Sequence, residues 1–329
     1  MDKAVQELNK KAGEKSKELE KIRREMGKVI VGQRDVVDSL LMGILCDAHI
    51  LLEGMPGLAK TLMVHTLATI TSCSFKRIQF TPDLLPADIV GTKIYNQKKM
   101  EFQTSRGPIF SNFILADEIN RAPPKVQSAL LEAMQERQVT ISGDTIKLEK
   151  PFFVLATQNP IEVEGTYPLP EAQIDRFMFK VLVDYPTKDD EIEVMGRMTS
   201  GEMPETEVVL KPEEILELQK FTNRIYVDDK IREYVADIVL ATRKPGEYGL
   251  DDLEKLIMYG ASPRASIYFI MSAKANALMD ARGYVTPDDV KDVTHNILRH
   301  RIIPTYEAEA EEKTVEGFIE EILSTVDSP

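Results

Sequence analysis

One short segment of the sequence combines the residue types that bind phosphate groups. In HILLEGMPGLAKTLM (49–63) an apolar run ends at Gly54 and a helical pattern begins near Lys60. Glycines free backbone N–H groups to point inward, a helix N-terminus favours negative charge, a lysine reaches the outer phosphates and a hydroxyl binds Mg²⁺. The consensus is G-x-x-x-x-G-K-[ST], and Ala59 stands where its last glycine belongs. We expect ordinary helical geometry at Ala59, which lets alanine replace that glycine, while Lys60 and Thr61 supply the cation and the hydroxyl.

Two adjacent carboxylates follow a second apolar run, FILADE (113–118). Burying an unpaired charge is costly, so two carboxylates directly after a buried strand, Asp117 and Glu118, are expected to have a partner or a function. Beside a phosphate-binding loop, Asp117 can hold Mg²⁺ directly or through water, and Glu118 can polarise a water for attack on the γ-phosphate. Taken alone, the same residues would simply end a strand in a polar loop.

Three further side chains are candidates for the same chemistry. Asn159, in ATQNP (156–160), can hydrogen-bond both the attacking water and a γ-phosphate oxygen, although an Asn-Pro turn explains it equally well. Arg264 stands in the first turn of a helix, where a cation opposes the helix dipole, which indicates an anion partner; a surface salt bridge is the alternative. Arg176 directly precedes an apolar strand.

The elements that must position these residues are visible as apolar runs separated by helical patterns. Such runs are typical of parallel strands covered on both faces, so we expect a three-layer α/β domain. Alternating segments at 91–104 and 137–150 predict two hairpins. The predicted domains are an amphipathic helical extension (1–28), the α/β domain (29–187) and a helical domain (188–329). The five predicted strands are HILLE (49–53), SFKRIQF (74–80), FILAD (113–117), FFVLAT (152–157) and FMFKVLV (177–183).

Composition narrows the class of protein. The 329 residues carry a net charge of −13, which disfavours a sequence-independent grip on nucleic acid or anionic lipid. Two cysteines without a C-x-x-C motif indicate a reducing compartment, and the four histidines lack metal-ligand spacing. The longest apolar stretch, 40–46, is too short to span a membrane, and the N-terminus has no signal-peptide pattern. We therefore expect a cytoplasmic protein without a transmembrane segment.

Taken together, these segments resemble the MoxR family of AAA+ ATPases over about residues 29–303. Within this family the alanine at position 59 is no departure, because the family's loop resembles G-x-P-G-x-A-K-T. The resemblance implies an AAA+ three-layer αβα P-loop domain with a five-stranded parallel sheet, followed by a smaller all-helical lid domain. The segments that carry the resemblance are VIVGQRDVV (29–37), EGMPGLAKT (53–61), PDLLPADIVG (82–91), GPIFSNFILADEINRAPPKVQSALLEAMQERQVTISG (107–143), VLATQNPIEVEGTYPLPEAQIDRF (154–177) and GASPRAS (260–266).

The resemblance also implies roles for individual residues toward ATP and Mg²⁺. Asn159 corresponds to sensor one and Arg264 to sensor two, which contacts the phosphates from the lid. Arg176 corresponds to the arginine finger that acts on a neighbouring subunit's ATP, although Arg121 and Arg106 can also face a neighbour. Asp117 and Thr61 are the expected metal ligands, and Glu118 is the expected base. The implied nucleotide-binding residues are Gly32, Gln33, Gly54, Met55, Pro56, Gly57, Leu58, Ala59, Lys60, Thr61 and Leu62.

An arginine finger requires an oligomer, and the family's usual state is a hexameric ring. The leading functional prediction is a MoxR-type chaperone that couples ATP hydrolysis to remodelling, maturation or metal insertion of a client, possibly one with a von Willebrand factor A domain. A metal-chelatase subunit is a close relative of this class. A nucleic-acid motor shares the 137–150 hairpin but should carry a basic tip, and here the tip is Ser-Gly-Asp-Thr. A binding-only switch does not need Glu118, Asn159 and Arg176 together.

Overall fold

The computed structural model describes residues 3–161, 165–199 and 204–329. By internal packing the chain divides into two compact units. We call Lys21–Phe177 with Val181–Glu217 the sheet unit, and Met1–Glu20, Met178–Lys180 and Leu218–Pro329 the helical unit.

The strands within the described residues, in chain order, are β1 (Ile50–Gly54), β2 (Phe75–Gln79), β3 (Gly91–Asn96), β4 (Glu101–Arg106), β5 (Phe113–Asp117), β6 (Gln138–Ile141), β7 (Asp144–Lys147), β8 (Phe153–Gln158), β9 (Phe179–Val183), β10 (Ile257–Tyr259) and β11 (Ile303–Pro304). The α-helices are α1 (Lys3–Val29), α2 (Arg34–Leu45), α3 (Lys60–Ile70), α4 (Pro86–Val90), α5 (Pro124–Glu136), α6 (Glu171–Ile174), α7 (Lys188–Thr199), α8 (Pro212–Thr222), α9 (Asp229–Arg243), α10 (Asp251–Glu254), α11 (Pro263–Met279), α12 (Pro287–Leu298), α13 (Tyr306–Ala310) and α14 (Val315–Thr325). Short 3-10 helices occupy Pro108–Phe110, Ile119–Arg121 and Pro245–Tyr248.

The five predicted apolar runs form one sheet, in the order β2-β5-β8-β1-β9. The pairings of β1 with β8, β8 with β5 and β5 with β2 are all parallel. Leu155 in the middle strand lies opposite both Ile50 and Leu115, and all three are fully buried. Strands this apolar need cover on both faces, which the helices of the three-layer fold provide. The predicted α/β fold is confirmed, and its topology brings the ends of β1, β5 and β8 to one edge, where parallel sheets bind ligands.

Both predicted hairpins are present as antiparallel pairs, β3 with β4 and β6 with β7. The second is closed by Ser142 and Gly143, which have φ values of 49° and 91°. Positive φ at both central residues matches the twist of the flanking strands. The tip of this hairpin is joined to the first one by an ion pair of 2.7 Å between the Lys93 Nζ and the Asp144 Oδ2.

From Leu218 onward, the described residues of the helical unit form helices and one short ribbon, in which β10 and β11 pair antiparallel. The predicted helix start at Thr286 is confirmed, because α12 begins at Pro287 and the Thr286 and Asp289 side chains form a capping box. Asp289 is fully buried and accepts from both Nη atoms of Arg282 at 2.6 Å. The all-helical lid of the sequence prediction is therefore correct except for this ribbon.

The compact units divide the chain at other places than after residues 28 and 187, so those two domain boundaries stay predictions. Residues 188–199 and 204–217 pack within the sheet unit rather than with the helices that follow. Arg197 on α7 donates to the carbonyls of Gly27 and Lys28, and the N–H groups of Val209 and Leu210 both donate to the Ile70 carbonyl. These bonds explain why a segment without strands belongs to the unit that contains the sheet.

Candidate active site

The loop between β1 and α3 combines two constrained glycines with the start of a helix. A Cβ on Gly54 would lie 2.8 Å from the Val183 carbonyl oxygen, so only glycine fits against β9 there. Gly57 has φ +87°, a conformation that glycine adopts without strain. Helix α3 starts at Lys60, and the N–H groups of a first helical turn have no acceptor within the helix. These groups are available to an anion.

The expectation of ordinary helical geometry at Ala59 was wrong. Ala59 is the residue before α3, and its φ of 53° and ψ of 20° place it in the left-handed region. The chain must reverse direction between β1 and α3, and this residue makes the turn. Left-handed geometry costs an L-residue with a Cβ roughly 1–2 kcal/mol, so alanine is tolerated here at some expense of stability.

The Lys60 ammonium lies among three carboxylates. Its Nζ donates to the Gly54 carbonyl oxygen at the start of the loop. Burial lowers the pKa of Lys60 from its ordinary value, and the negative charges of Asp117, Glu118 and Glu53 oppose that shift. Two of these carboxylates, Asp117 and Glu118, line one cavity together with Lys60.

Asp117, at the end of β5, has a partner on each carboxylate oxygen. Its Oδ1 accepts from the Thr157 hydroxyl at 2.7 Å. Its Oδ2 accepts from Arg77 on β2, from Nε at 3.0 Å and from Nη2 at 2.6 Å. Thr157 is 1% exposed, so it fixes one oxygen from the buried side, while Arg77 covers the other.

Glu118 is held in an uncommon backbone conformation. Its φ of 55° and ψ of 51° are left-handed, and its N–H donates to the Thr157 Oγ1 at 2.9 Å. Its Oε2 accepts from the Gln79 Nε2 at 2.7 Å and from the Arg121 Nη1 at 3.0 Å. Strained backbone at a carboxylate beside a cavity is typical of functional sites.

A cavity of about 400 Å³ brings these residues together. Most of the predicted loop lines it, as do the predicted carboxylates and Asn159, which is 9% exposed and accepts from the Ile161 N–H at 3.2 Å. The predicted loop residue Met55 is not among the lining residues. The lining consists of Gly54, Pro56, Gly57, Leu58, Ala59, Lys60, Thr61, Leu62, Arg77, Asp117, Glu118, Thr157, Gln158 and Asn159.

Sequence reasoning missed Arg77, Gln79 and Thr157 as members of the site. Arg77 and Gln79 are two apart on β2 and therefore point to the same face of the strand. That alternation was visible in SFKRIQF, where the apolar Ile78 is buried between two polar neighbours. Thr157 belongs to the ATQNP segment, but only the packed structure shows that its hydroxyl meets both carboxylate residues.

Two predicted nucleotide-binding residues, Gly32 and Gln33, lie in the sheet unit but are not among the residues that line the cavity. Both have positive φ, 62° and 51°. The φ of 62° favours glycine at position 32, and an added Cβ would also lie 2.9 Å from the Asp190 carboxylate. The Gln33 Oε1 is buried and has no hydrogen-bond partner among the residues that the structure describes.

The predicted arginines occupy different surroundings. Arg176 is partly buried in the sheet unit, and its Nη1 donates to the Leu131 carbonyl at 3.2 Å. Arg264 lies in the helical unit, where its N–H donates to the Ser262 hydroxyl that caps α11. Arg121 pairs with Glu118, and Arg106 lies 5.0 Å from the centre of the Phe110 ring. None of these four lines the cavity.

Two features are absent from the described ranges. No group of three or more His, Cys, Asp or Glu side chains there has the arrangement of a metal site. No helix in those ranges is long and apolar enough to cross a membrane.

Comparison with known proteins decides the family. The family model described as "ATPase family associated with various cellular activities (AAA)" matches residues 49–179, and that of the AAA lid domain matches residues 252–322. The protein "Chaperone MoxR1" of Mycobacterium tuberculosis is 50% identical over 94% of this chain and 82% of its own length. The chain belongs to the MoxR family of AAA+ ATPases. "Protein MoxR" of Paracoccus denitrificans is 30% identical over 92% of the chain and 93% of its own length.

A solved structure supports the same assignment. A protein from Cytophaga hutchinsonii, described as a candidate ATPase, superposes with a TM-score of 0.92 at 50% identity and covers 99% of this chain and 98% of its own. This member of the MoxR family is thus an ATPase with an AAA domain and a lid domain, and a chaperone of the MoxR type. The resemblance read from the sequence is confirmed.

Proposed function

We propose that Mg²⁺-ATP binds in the cavity at the ends of β1, β5 and β8. The observation that carries the proposal is the meeting of Lys60, Asp117, Glu118 and Asn159 around one space of about 400 Å³. The first turn of α3 and the loop before it would surround the phosphates. The Thr61 hydroxyl and the Asp117 carboxylate are hard oxygen donors, which suits Mg²⁺. When bound, the ion would neutralise charge on the phosphate oxygens.

The arrangement of Glu118 supports its role as the base that activates water. Two donors, Gln79 and Arg121, fix its Oε2. No hydrogen bond to its Oε1 comes from the described part of the chain, so that oxygen is available to accept a proton from water. Asn159, at the end of the next strand, would orient the same water through its side-chain amide.

A second part of the proposal concerns the adenine base. Gln33 keeps a buried amide oxygen without a hydrogen-bond donor among the described residues. A buried acceptor without a partner costs about 1–3 kcal/mol, and an exocyclic amino group of a bound base would remove that cost. We therefore assign the base to the segment that contains Gly32 and Gln33.

We further propose that the chain works as a ring, which we take to be a hexamer. Arg176 would act on the nucleotide of a neighbouring subunit, and Arg264 would contact the phosphates from the lid. The ring would couple ATP hydrolysis to remodelling or maturation of a client, including metal or cofactor insertion, and the client we expect carries a von Willebrand factor A domain. The cytoplasmic location stays a prediction.

A nucleic-acid motor is the alternative, and the second hairpin argues against it. At the tip, the Asp144 side chain is 62% exposed and pairs with Lys93. A tip that meets phosphates should present a cation rather than a carboxylate. The net charge of −13 also disfavours attraction of nucleic-acid phosphates by the rest of the chain.

Two substitutions test the site directly. Lys60→Ala should abolish ATP binding because it removes the phosphate-binding cation, whereas Glu118→Gln should bind ATP and lose turnover because it removes only the base. Binding is measured by calorimetry and turnover by phosphate release. Equal ATP affinity of Lys60→Ala and the unmodified chain would overturn the assignment of the loop.

The client is tested with the hydrolysis-blocked variant. Glu118→Gln loaded with ATP should retain a protein with a von Willebrand factor A domain from the native host, and Lys60→Ala should not. Retention mainly of nucleic acid and its processing enzymes would favour the motor instead.

A further inference from the structure

The guanidinium group of Arg77 binds the carboxylate that we propose as a metal ligand, Asp117. Arg77 lies on the edge strand β2, two residues before Gln79, which is paired with Asp117 across the sheet. Both Nε and Nη2 of Arg77 donate to the same oxygen of Asp117, Oδ2. Because Thr157 already donates to Oδ1, no oxygen of Asp117 is left without a donor.

Arg77 also belongs to the cavity itself. It is one of the residues that line the proposed nucleotide site, and its Nη2 makes a further bond of 2.6 Å to the Gln79 Oε1. Gln79 in turn donates to Glu118, so one chain of hydrogen bonds runs from Asp117 through Arg77 and Gln79 to Glu118. Arg77 therefore contacts one carboxylate of the site directly and is linked to the other through Gln79.

We propose that Arg77 competes with Mg²⁺ for the Oδ2 of Asp117, so that metal binding displaces the guanidinium group. The inference rests on the proposed function, because it assumes that Asp117 holds Mg²⁺ beside a nucleotide. The Oδ2 of Asp117 accepts two N–H bonds from one guanidinium group, so both of its lone pairs are engaged, and the positive charge of Arg77 opposes a second cation beside it. Arg77 is thus a positioning residue that sets how much Mg²⁺ the site requires.

The competition predicts two effects of opposite sign when the charge of Arg77 is removed. Without metal, phosphates entering the cavity meet the charges of Asp117 and Glu118, and Arg77 offsets one of them. Its loss should therefore weaken metal-free nucleotide binding. With metal present, the loss of Arg77 leaves the Oδ2 of Asp117 available to Mg²⁺. A lower Mg²⁺ concentration should therefore half-saturate the site. Arg77 is 49% exposed, which limits each effect to about 3- to 10-fold.

The matched control is Lys76→Gln, on the same strand. Lys76 has the same charge as Arg77 and is also exposed, but it points to the opposite face and does not line the cavity. The conservative variant Arg77→Lys keeps the charge with a single donor group, and it should lie between the unmodified chain and Arg77→Gln. Thermal unfolding of each full-length variant checks that the fold is retained.

The experiment measures the affinity of a ribose-labelled fluorescent ADP, first in EDTA and then across a MgCl₂ titration. For Arg77→Gln we expect the metal-free dissociation constant to rise about 3- to 10-fold and the half-saturating Mg²⁺ concentration to fall by a similar factor. Lys76→Gln should change neither by more than about twofold. Either unchanged Mg²⁺ dependence or a shift of both constants toward weaker binding would overturn the inference. If the unmodified chain failed to bind the labelled ADP in any condition, the proposed site itself would fall.

Discussion

Replacing Thr157 by valine should destabilise the sheet unit and disable the site at once. Thr157 is 1% exposed, donates to Asp117 and accepts from the Glu118 N–H. Valine has nearly the same shape, so packing is preserved and only the hydroxyl is lost. Two polar groups, the Asp117 Oδ1 and the Glu118 N–H, then lose their partner.

The expected cost follows from those two groups. A hydrogen bond to a charged group contributes roughly 1.5–3 kcal/mol, and a buried N–H left without an acceptor costs roughly 1–3 kcal/mol. Asp117 is 17% exposed, so water partly replaces the lost hydroxyl and the lower ends of both ranges apply. We expect the free energy of unfolding to fall by about 3 kcal/mol, which lowers Tm by about 6–12 °C in a unit of this size.

The measurement is thermal unfolding together with ATP turnover, and Thr157→Ser is the matched control. Serine keeps the hydroxyl and loses one methyl group, which costs about 1 kcal/mol. Turnover of Thr157→Val should fall at least about 10-fold, because both carboxylate residues lose a contact that orients them. If the valine and serine variants unfolded at the same temperature, the hydroxyl would not hold these groups.

Three further predictions concern separate parts of the chain. Ala59→Gly should leave stability unchanged or raise it by about 1 kcal/mol in chemical denaturation, because relief of left-handed strain exceeds glycine's extra entropy in the unfolded state; a clear loss would contradict the geometry. Arg176→Ala subunits should lack turnover alone and regain it when mixed with subunits that lack the phosphate-binding lysine, since an intact finger then meets an intact pocket; no recovery in rings shown to co-assemble would refute a finger acting in trans. Burial raises the pKa of Glu316, but hydrogen bonds from His295 and Arg299 outweigh it and hold that pKa below its ordinary 4.5. Its stabilising contribution is present above that pH and lost as pH falls through the folded pKa, so Glu316→Gln should reduce the pH dependence of Tm on the acid side.

The sheet could be predicted because its strands are buried on both faces. FILAD and FFVLAT contain too few polar residues to face water, and each ends where a polar residue begins the site. The start of α12 was equally clear, since Thr286 and Asp289 form a capping box and the proline at the first helical position has no N–H group to satisfy. Strand burial and helix capping depend on residues that are close together in the sequence, so both can be predicted from it.

The partners of the carboxylates could not be predicted in the same way. Arg77 reaches Asp117 only because β2 and β5 pair in a register that puts Gln79 beside Asp117. Register depends on the packing of the whole sheet, and a shift of one residue would turn Arg77 to the other face. The backbone conformation of Ala59 was also predicted wrongly from sequence spacing. Whether an alanine is helical or left-handed at such a position depends on its tertiary surroundings, and the residue type does not reveal it.

Left-handed backbone at Glu118 links the geometry of the site to its stability. A residue with a long side chain adopts this conformation only where its surroundings impose it. Here the Glu118 N–H donates to the Thr157 hydroxyl, which holds the backbone in this conformation. The same hydroxyl donates to Asp117. One buried side chain therefore positions the proposed metal ligand and the proposed base together. Because both depend on a single oxygen, a change that moves β8 relative to β5 must disturb both roles at once rather than either alone.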